Sequence, residues 1–446
     1  MDDLPPQLIV EILSRLSDSA DLARCRLVSK TLNSLSREVR SVNLTCALSR
    51  YLKSRSPATC NLLTPFKTIF SGLILRSRGL DSVAVGVDKS FIEIPFDDEE
   101  YDESDDLYLT DVAFVKEWLP KVCGELRSLS ISDFWIQSCW RRSKVLVLIS
   151  SCCSNLRELE LKNTWLSVDG LNPMPTLTNL TLEHVRLDDK DLGMVNNCFP
   201  SLQVLNLVGV GGFETPTIHL LHLKSCLWNV SDAPYSLAIV APNLVNLKLT
   251  CIRPRSLVLN TPLLSDFYLS LEKAEEFRAT DLCNLKNLEL ESSSLDSVLG
   301  IFPSGKTIKK LTLESLKVTD SVETKFGLEV LFDLFPNLCS LKLGHRAWTE
   351  AEIWFRKRGL KGASEMESLE KIIAHLVVND LDVTISFIHS ILDKCTKLSD
   401  MVLLLQEDSW AASGLISRCA TDHPRIRWRW GTWKEGSKDT WISSGV

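Results

Sequence analysis

FPSLQVLNL, residues 199–207, is the stretch on which the fold of this chain turns. Leu202, Leu205 and Leu207 follow one another at spacings of three and two. The last two are two residues apart, so they share one face of a short strand. Close variants stand at 241–249 (APNLVNLKL), 261–269 (TPLLSDFYL) and 335–343 (FPNLCSLKL). The underlying frame, L-x-x-L-x-L, also occurs at Leu126/Leu129/Ile131, Leu156/Leu159/Leu161 and Leu177/Leu180/Leu182. It returns at Ile218/Leu221/Leu223, Leu244/Leu247/Leu249, Leu264/Phe267/Leu269, Leu285/Leu288/Leu290, Ile308/Leu311/Leu313 and Leu338/Leu341/Leu343. Leu398/Met401/Leu403 is a looser copy, and Phe70/Leu73/Leu75 is a candidate first one.

One such strand cannot bury its leucine face alone; stacked copies can. About ten frames, mostly 20–30 residues apart, predict an α/β fold: a leucine-rich-repeat solenoid, a horseshoe with a parallel sheet on its concave face. Pro before many frames suits a helix-to-strand turn, because Pro cannot continue a helix. WLPKVC, VLISSCC and ILDKC place Cys123, Cys153 and Cys395 three residues before a frame's first leucine. A small buried hydrophobe at the turn accounts for them, and the pattern resembles the cysteine-containing class of leucine-rich repeats.

The chain has 446 residues, 45% hydrophobic and 24% charged, with net charge -7. Such a length is too great for one compact core. The acidic balance argues against a protein dominated by phosphate neutralisation, so no nucleic-acid partner is expected. MDDLPPQ lacks the basic and apolar regions of a signal peptide, and no apolar run approaches the roughly 18 residues of a membrane span. A nuclear or cytoplasmic protein with no membrane contact is the expectation. The 14 cysteines then read as reduced thiols. No C-x-x-C and no zinc spacing occurs, so no metal site is expected. Asn43, Asn179 and Asn229 open sequons that read as chance matches in that compartment.

The first forty residues do not fit the repeat. Leu8, Ile9, Ile12, Leu13 and Leu16 form one apolar stripe at helical spacing, and Pro5 and Pro6 suit a helix start. Asp18, Ser19 and Asp21 supply turn and cap chemistry before a second helix carrying Leu22, Cys25, Val28, Leu32 and Leu35. Two such helices bury too little surface to be stable alone. Leu4-Pro5-x-x-Leu8-x-x-x-Ile12-Leu13-x-x-Leu16, followed by Cys25-Arg26-Leu27-Val28-Ser29-Lys30, resembles an F-box over residues 1–41. Ser17 stands where Pro often follows the leucine, and Leu32 where an aromatic is usual. With the repeats, the whole chain is similar to plant-type F-box/leucine-rich-repeat proteins.

That resemblance implies a role without a reaction: the F-box docks on a Skp-type adaptor, which bridges to a cullin, and the repeats capture a protein for ubiquitination. The chain would be the substrate-recognition subunit of an SCF-type ligase, with no enzyme activity and no cofactor of its own. Carried over by position, the adaptor contacts are Leu4, Pro5, Leu8, Ile9, Ile12, Leu16, Leu22, Val28, Ser29, Lys30 and Leu32. The expected layout is an F-box over 1–41, a solenoid over 42–435 and a tail over 436–446.

The target is not legible, but the surface for it is. Residues flanking the strand leucines face the concave side: Glu158, Glu160, Lys162, Asn179, Thr181, Glu183, Asn246, Lys248, Thr250, Asp266, Tyr268, Ser270, Lys310, Thr312 and Glu314. This two-signed polar mix suits protein recognition. Trp135, Trp165, Trp228 and Trp348 come just after strand leucines and are either hot-spot candidates on the rim or packing beneath it. One rival is a small-ligand or hormone co-receptor with a polyphosphate in the horseshoe, which needs a Lys/Arg cluster that the residues just named do not form. Another is an interaction module outside ubiquitination.

Several motifs are decoys. Gly300-Ile-Phe-Pro-Ser-Gly305-Lys306-Thr307 matches the phosphate-loop letters, but a helix pattern precedes it and a strand frame follows, the reverse of the order a phosphate cradle needs. DDEEYDESDD at 97–106, eight acids in ten positions, reads as a solvated acidic insert, with Ser104 a candidate phosphorylation site. Arg356, Lys357, Arg358 and Lys361 form a basic cluster that reads as a wet loop or a face for acids. His219 and His222, three apart on a predicted strand, point to opposite faces and make a poor metal pair.

Overall fold

The structure, a computed structural model, describes residues 4–54, 64–88, 105–134, 141–230, 233–272, 276–279, 282–300, 302, 305–316, 326–360, 364–407 and 412–441. The chain divides into two compact units, Met1–Asp232 with Ala238–Pro242, and Ala233–Leu237 with Asn243–Val446.

The first unit opens with three helices: α1 (Pro6–Ser14), α2 (Ser19–Val28) and α3 (Lys30–Leu35). Pro5 caps α1 through its carbonyl, which accepts from the Leu8 and Ile9 amides at 3.0 and 3.2 Å. Asp18 caps α2 through Ala20 N at 2.8 Å, and Ser29 caps α3 through Leu32 N at 3.0 Å. Ile9, Leu13, Leu22, Leu32 and Val39 form a small core. Val39 also begins an unforeseen repeat frame, Val39/Val42/Leu44, all buried. The buried Ser19 hydroxyl accepts from Asn43 N at 2.9 Å, tying α2 to the strand Ser41–Cys46. The helices thus complete their burial on the first repeat, because they are too small to do so alone.

A parallel sheet then runs through Ser41–Cys46, Ser82–Val87, Ser128–Ser132, Glu158–Leu166, Asn179–Arg186, Val204–Val210 and Ser225–Val230, each paired with the next. In the second unit a parallel sheet runs through Asn246–Cys251, Asp266–Leu271, Asn287–Ser292, Lys310–Ser315, Ser340–Leu343, Lys371–Leu376, Asp400–Gln406 and Arg427–Trp433. The frame leucines point to the buried face, and the residues between them stay at least partly open, except Val402 and Leu404 near the C-terminal end. Each buried leucine contributes about 1.5–3 kcal/mol of transfer free energy. The last strand is closed by Thr440–Trp441, antiparallel to Gly431–Thr432, so part of the expected tail belongs to the cap. There Trp433 covers Val402 and Leu404 and donates from Nε1 to Leu376 O at 3.1 Å.

Helix-to-strand turns follow one recipe. Cys153, Phe199, Phe335 and Cys395 are each the C-cap of a helix and each buried. The Phe199, Phe335 and Cys395 carbonyls accept from the first frame leucine, Leu202, Leu338 and Leu398, at 3.1–3.2 Å. Cys123 has the same place but is only half-buried. Burial pushes the thiols of Cys153, Cys226 and Cys395 up to about 12. Native-state alkylation at about pH 8 should therefore modify the exposed Cys283 and spare these three, whose thiolate fraction is about a thousandfold lower than that of a free thiol. Mass-spectrometric labelling reads this, and early modification of Cys226 would contradict it.

Three expectations are corrected. Phe70/Leu73/Leu75 is not a strand frame: Phe66–Ile74 is a helix and Leu75 is exposed. The frame at Ile218/Leu221/Leu223 is displaced, since Leu221 is 55% exposed and the strand is Ser225–Val230. Its frame is Leu223/Cys226/Trp228, and His222 lies in the turn before it. The end of the acidic run is not solvated either. Asp106 is buried and accepts from Tyr51 Oη at 3.0 Å and from the Phe66 and Lys67 amides at 2.7 and 3.1 Å, capping that helix. Residues 97–104, Ser104 included, lie outside the described residues. Asp106→Ala should cost about 2–4 kcal/mol by stranding buried donors. Urea unfolding measures it, and a loss below about 0.5 kcal/mol would show the contacts to be dispensable.

The phosphate-loop letters occupy a helix-to-strand turn between Leu295–Leu299 and Lys310–Ser315, with residues 301, 303 and 304 outside the described set. Gly305 is needed for packing: a Cβ there would collide with the Phe335 ring. The Lys306 carbonyl accepts from Asn337 Nδ2 at 2.8 Å.

Candidate functional site

Two surfaces carry chemistry. The first is on the opening helices. The stripe of α1 splits in two, with Ile9 and Leu13 turned into the core and Leu8 and Ile12, one turn apart, left 51% and 44% exposed. Leu4 is 39% exposed before the helix, and Leu27 and Val28 at the end of α2 are 88% and 75% exposed. Water-facing leucine, isoleucine and valine gathered in so short a segment mark a docking surface.

Sequence position alone offered Ile9, Leu22 and Leu32 to a partner. They are 2–5% exposed in the helical core, so their role is to hold the surface rather than to touch a partner. Leu16 is half-buried against the same core. Ser29 is half-buried and spends its hydroxyl oxygen on the α3 cap. Leu4, Pro5, Leu8, Ile12, Val28 and Lys30 stay open to solvent. Leu27 was missed: spacing separates buried from exposed positions only when the burying neighbours are known.

The second surface is the open face of each sheet. In the first unit, register sets Glu160 beside Ser130 and Thr181, and Lys162 beside Glu183. Ser130 donates to Glu160 at 2.6 Å, and Lys162 pairs with Glu160 at 3.1 Å and Glu183 at 2.8 Å. Burial works against the Lys162 ammonium, but the two carboxylates outweigh it and hold its pKa above the ordinary lysine value. Glu158 stands exposed at the start of that strand.

Beyond this network the strands turn through left-handed residues. Asn163 (φ 55°), His184 (φ 51°) and Gly209 (φ 59°) fall on neighbouring strands at equivalent positions. Only Gly fits at 209, because a Cβ would collide with His184 Nδ1. A recess of ≈ 390 Å³ beside them is lined by Thr164, His184, Arg186 and Gly212. Trp165 lies under the Arg186 guanidinium at 4.6 Å.

In the second unit, Lys248 sits over the Tyr268 ring at 4.6 Å, and Tyr268 Oη donates to Glu291 at 2.6 Å. Burial and Glu291 both push the phenol up, so it stays a donor. Asp266 accepts from Asn287 Nδ2 at 2.5 Å, and Lys310 is exposed two strands from Asp266. Of the four tryptophans, Trp135 lies outside the described residues. Trp228 and Trp348, each 0% exposed, take the packing alternative and are not open to a target. Trp228 occupies an inward frame position and stacks on Phe213 at 5.5 Å; Trp348 packs on Phe387 at 4.9 Å.

Among the described residues no group of three or more His, Cys, Asp or Glu is placed to hold a metal ion, and no helix is long and apolar enough to cross a membrane. Comparison with known proteins agrees with the architecture. Residues 1–41 match the F-box-like family. The chain is 52% identical, over 99% of its length and 100% of the relative's, to an F-box/LRR-repeat protein of Arabidopsis thaliana.

Proposed function

The chain belongs to the F-box/leucine-rich-repeat proteins, and from that premise we propose that it is the substrate-recognition subunit of an SCF-type ubiquitin ligase. F-box domains generally bind Skp-type adaptors, and proteins of this family are typically adaptors rather than enzymes. The observation that carries the reading is the exposed apolar set Leu4, Leu8, Ile12, Leu27 and Val28 around a helical core. Adaptor binding would cover these side chains, and the adaptor would link the chain to a cullin. The sheet faces, polar and of both signs, suit capture of a protein target. The chain itself performs no chemistry; it raises the local concentration of a target lysine near the ubiquitin-charged conjugating enzyme. Such work takes place in the nucleus or cytoplasm, where adaptor, cullin and target meet.

Co-purification of the full chain with a Skp-type adaptor tests the proposal. Stoichiometric capture and recovery of a cullin through the adaptor are the expected results. A folded chain that captures none of several adaptors would leave a repeat protein with no part in ubiquitination.

A further inference from the structure

We infer that the open face of the second unit's sheet binds an acidic segment of the captured protein through Lys310, Lys342 and Lys371; this rests on the reading above that the repeats hold a target. The three lysines lie about thirty residues apart in sequence; Lys310 follows Lys309, while Lys342 and Lys371 have no basic neighbour in the chain. Register gathers them: Lys310 pairs with Ser340 and Ser340 with Lys371, while Lys342 is two residues along the middle strand. Strands spaced about 4.8 Å apart put the outer two lysines about 10 Å from each other, with the third between them and offset by about 7 Å. All three are on the open face, where Lys310 is exposed and Lys342 and Lys371 are half-exposed.

The described acids around them are set apart or engaged elsewhere: Glu314, diagonal to Lys342 on the neighbouring strand, accepts from Ser315 N at 3.1 Å. Among the described residues none of the three has an ion-pair partner within 4.0 Å. The carboxylate on the next strand, Asp400, is held by both Arg429 Nε, at 3.1 Å, and Arg429 Nη2. On the other side Asn287 adjoins Lys310 and donates to Asp266, and Thr312 separates Lys342 from Glu289. In the first unit, by contrast, Lys162 is matched by Glu160 and Glu183. Like charges held together unmatched cost folding energy and raise the local potential. A partner bearing carboxylates relieves that cost. An extended acidic segment fits, because its alternate side chains repeat at about 7 Å, close to the lysine spacing.

Binding of a fluorescein-labelled peptide with six consecutive glutamates to the full chain, read by polarisation, tests this. The expected result is binding that weakens roughly tenfold or more in Lys310→Ala/Lys342→Ala/Lys371→Ala, survives the three Lys→Arg changes, and falls steeply as salt shortens the Debye length. A control triple on exposed helical lysines, Lys116→Ala/Lys121→Ala/Lys190→Ala, should bind as the parent does. Absence of binding, or equal loss in both alanine triples, overturns the inference. So does tripolyphosphate binding at the triad more tightly than the peptide, which would make it a small-anion site. Adaptor capture is measured on the same preparations. Retained capture without triad-dependent binding sinks this surface alone; lost capture with triad-dependent binding sinks the ligase reading and keeps the surface.

Discussion

Changing Leu8 and Ile12 together to Asp is expected to lower adaptor capture by about a hundredfold or more while leaving the unfolding midpoint nearly unchanged. Both side chains stand on the outer face of α1, 51% and 44% exposed, and neither belongs to the helical core. Asp at these positions therefore meets water in the free chain and costs the fold little. In a complex each loses an apolar anchor and places an unpaired carboxylate in a desolvated contact. Anchors of that kind are worth about 2 kcal/mol or more apiece, and every 1.4 kcal/mol is a factor of ten. The neighbouring change Leu13→Ala should behave in the opposite way. Leu13 is 4% exposed, so the loss is of stability, by about 2–5 kcal/mol, with capture reduced only as far as the helices unfold. If the double Asp variant still captures adaptor at parental strength, the docking surface lies elsewhere, with Leu27 and Val28 the first alternative.

The second large effect is expected at Trp228. Trp228→Ala should destabilise the first unit by about 3–5 kcal/mol, a large part of the 5–15 kcal/mol that holds a typical domain together. The indole is fully buried at an inward frame position and stacks on Phe213 with the ring planes at 26°. Its removal leaves a cavity that a stacked repeat cannot close, because hydrogen bonds hold its strand in register on Val204–Val210. Urea unfolding followed by circular dichroism measures the loss. A rim tryptophan engaged with a target would give the converse: unchanged stability and weakened target capture. A stability change under about 1 kcal/mol would contradict the burial described above.

The Trp228 region also illustrates why one frame was misread. Ile218/Leu221/Leu223 and Leu223/Cys226/Trp228 both satisfy the spacing, and leucine makes the first more attractive. The second keeps Leu202, Leu223 and Leu244 evenly spaced, 21 residues apart. Even spacing was the available signal, since stacked repeats of equal height need equal lengths of chain. Frames in which valine, isoleucine or alanine replaces some of the leucines hid for a related reason. Val39/Val42/Leu44, Leu80/Val83/Val85 and Leu369/Ile372/Ala374 are buried as completely as the leucine frames. The buried face accepts any apolar side chain that fills it, so residue identity is a weaker guide than position.

The linear chain by itself determined that a helical segment of about forty residues precedes an array of repeats. Two periods in the sequence, helical at the start and strand-like afterwards, demand two ways of burying apolar surface, and that requirement is local. The Pro and Cys turns and the reversed order around Gly305 were legible for the same reason. What tertiary structure decided is which of those residues face water and which meet each other. Leu8 and Ile9 are neighbours in one apolar stripe, yet only the packing of α2 and α3 makes one of them core and the other surface. Asp106 ends an acidic run, yet the helix it caps begins forty residues earlier. Lys310, Lys342 and Lys371 become one patch through strand register alone. Hydrogen bonding between strands brings side chains about thirty residues apart to within about 5 Å, and no period within a single repeat encodes which of them will be adjacent.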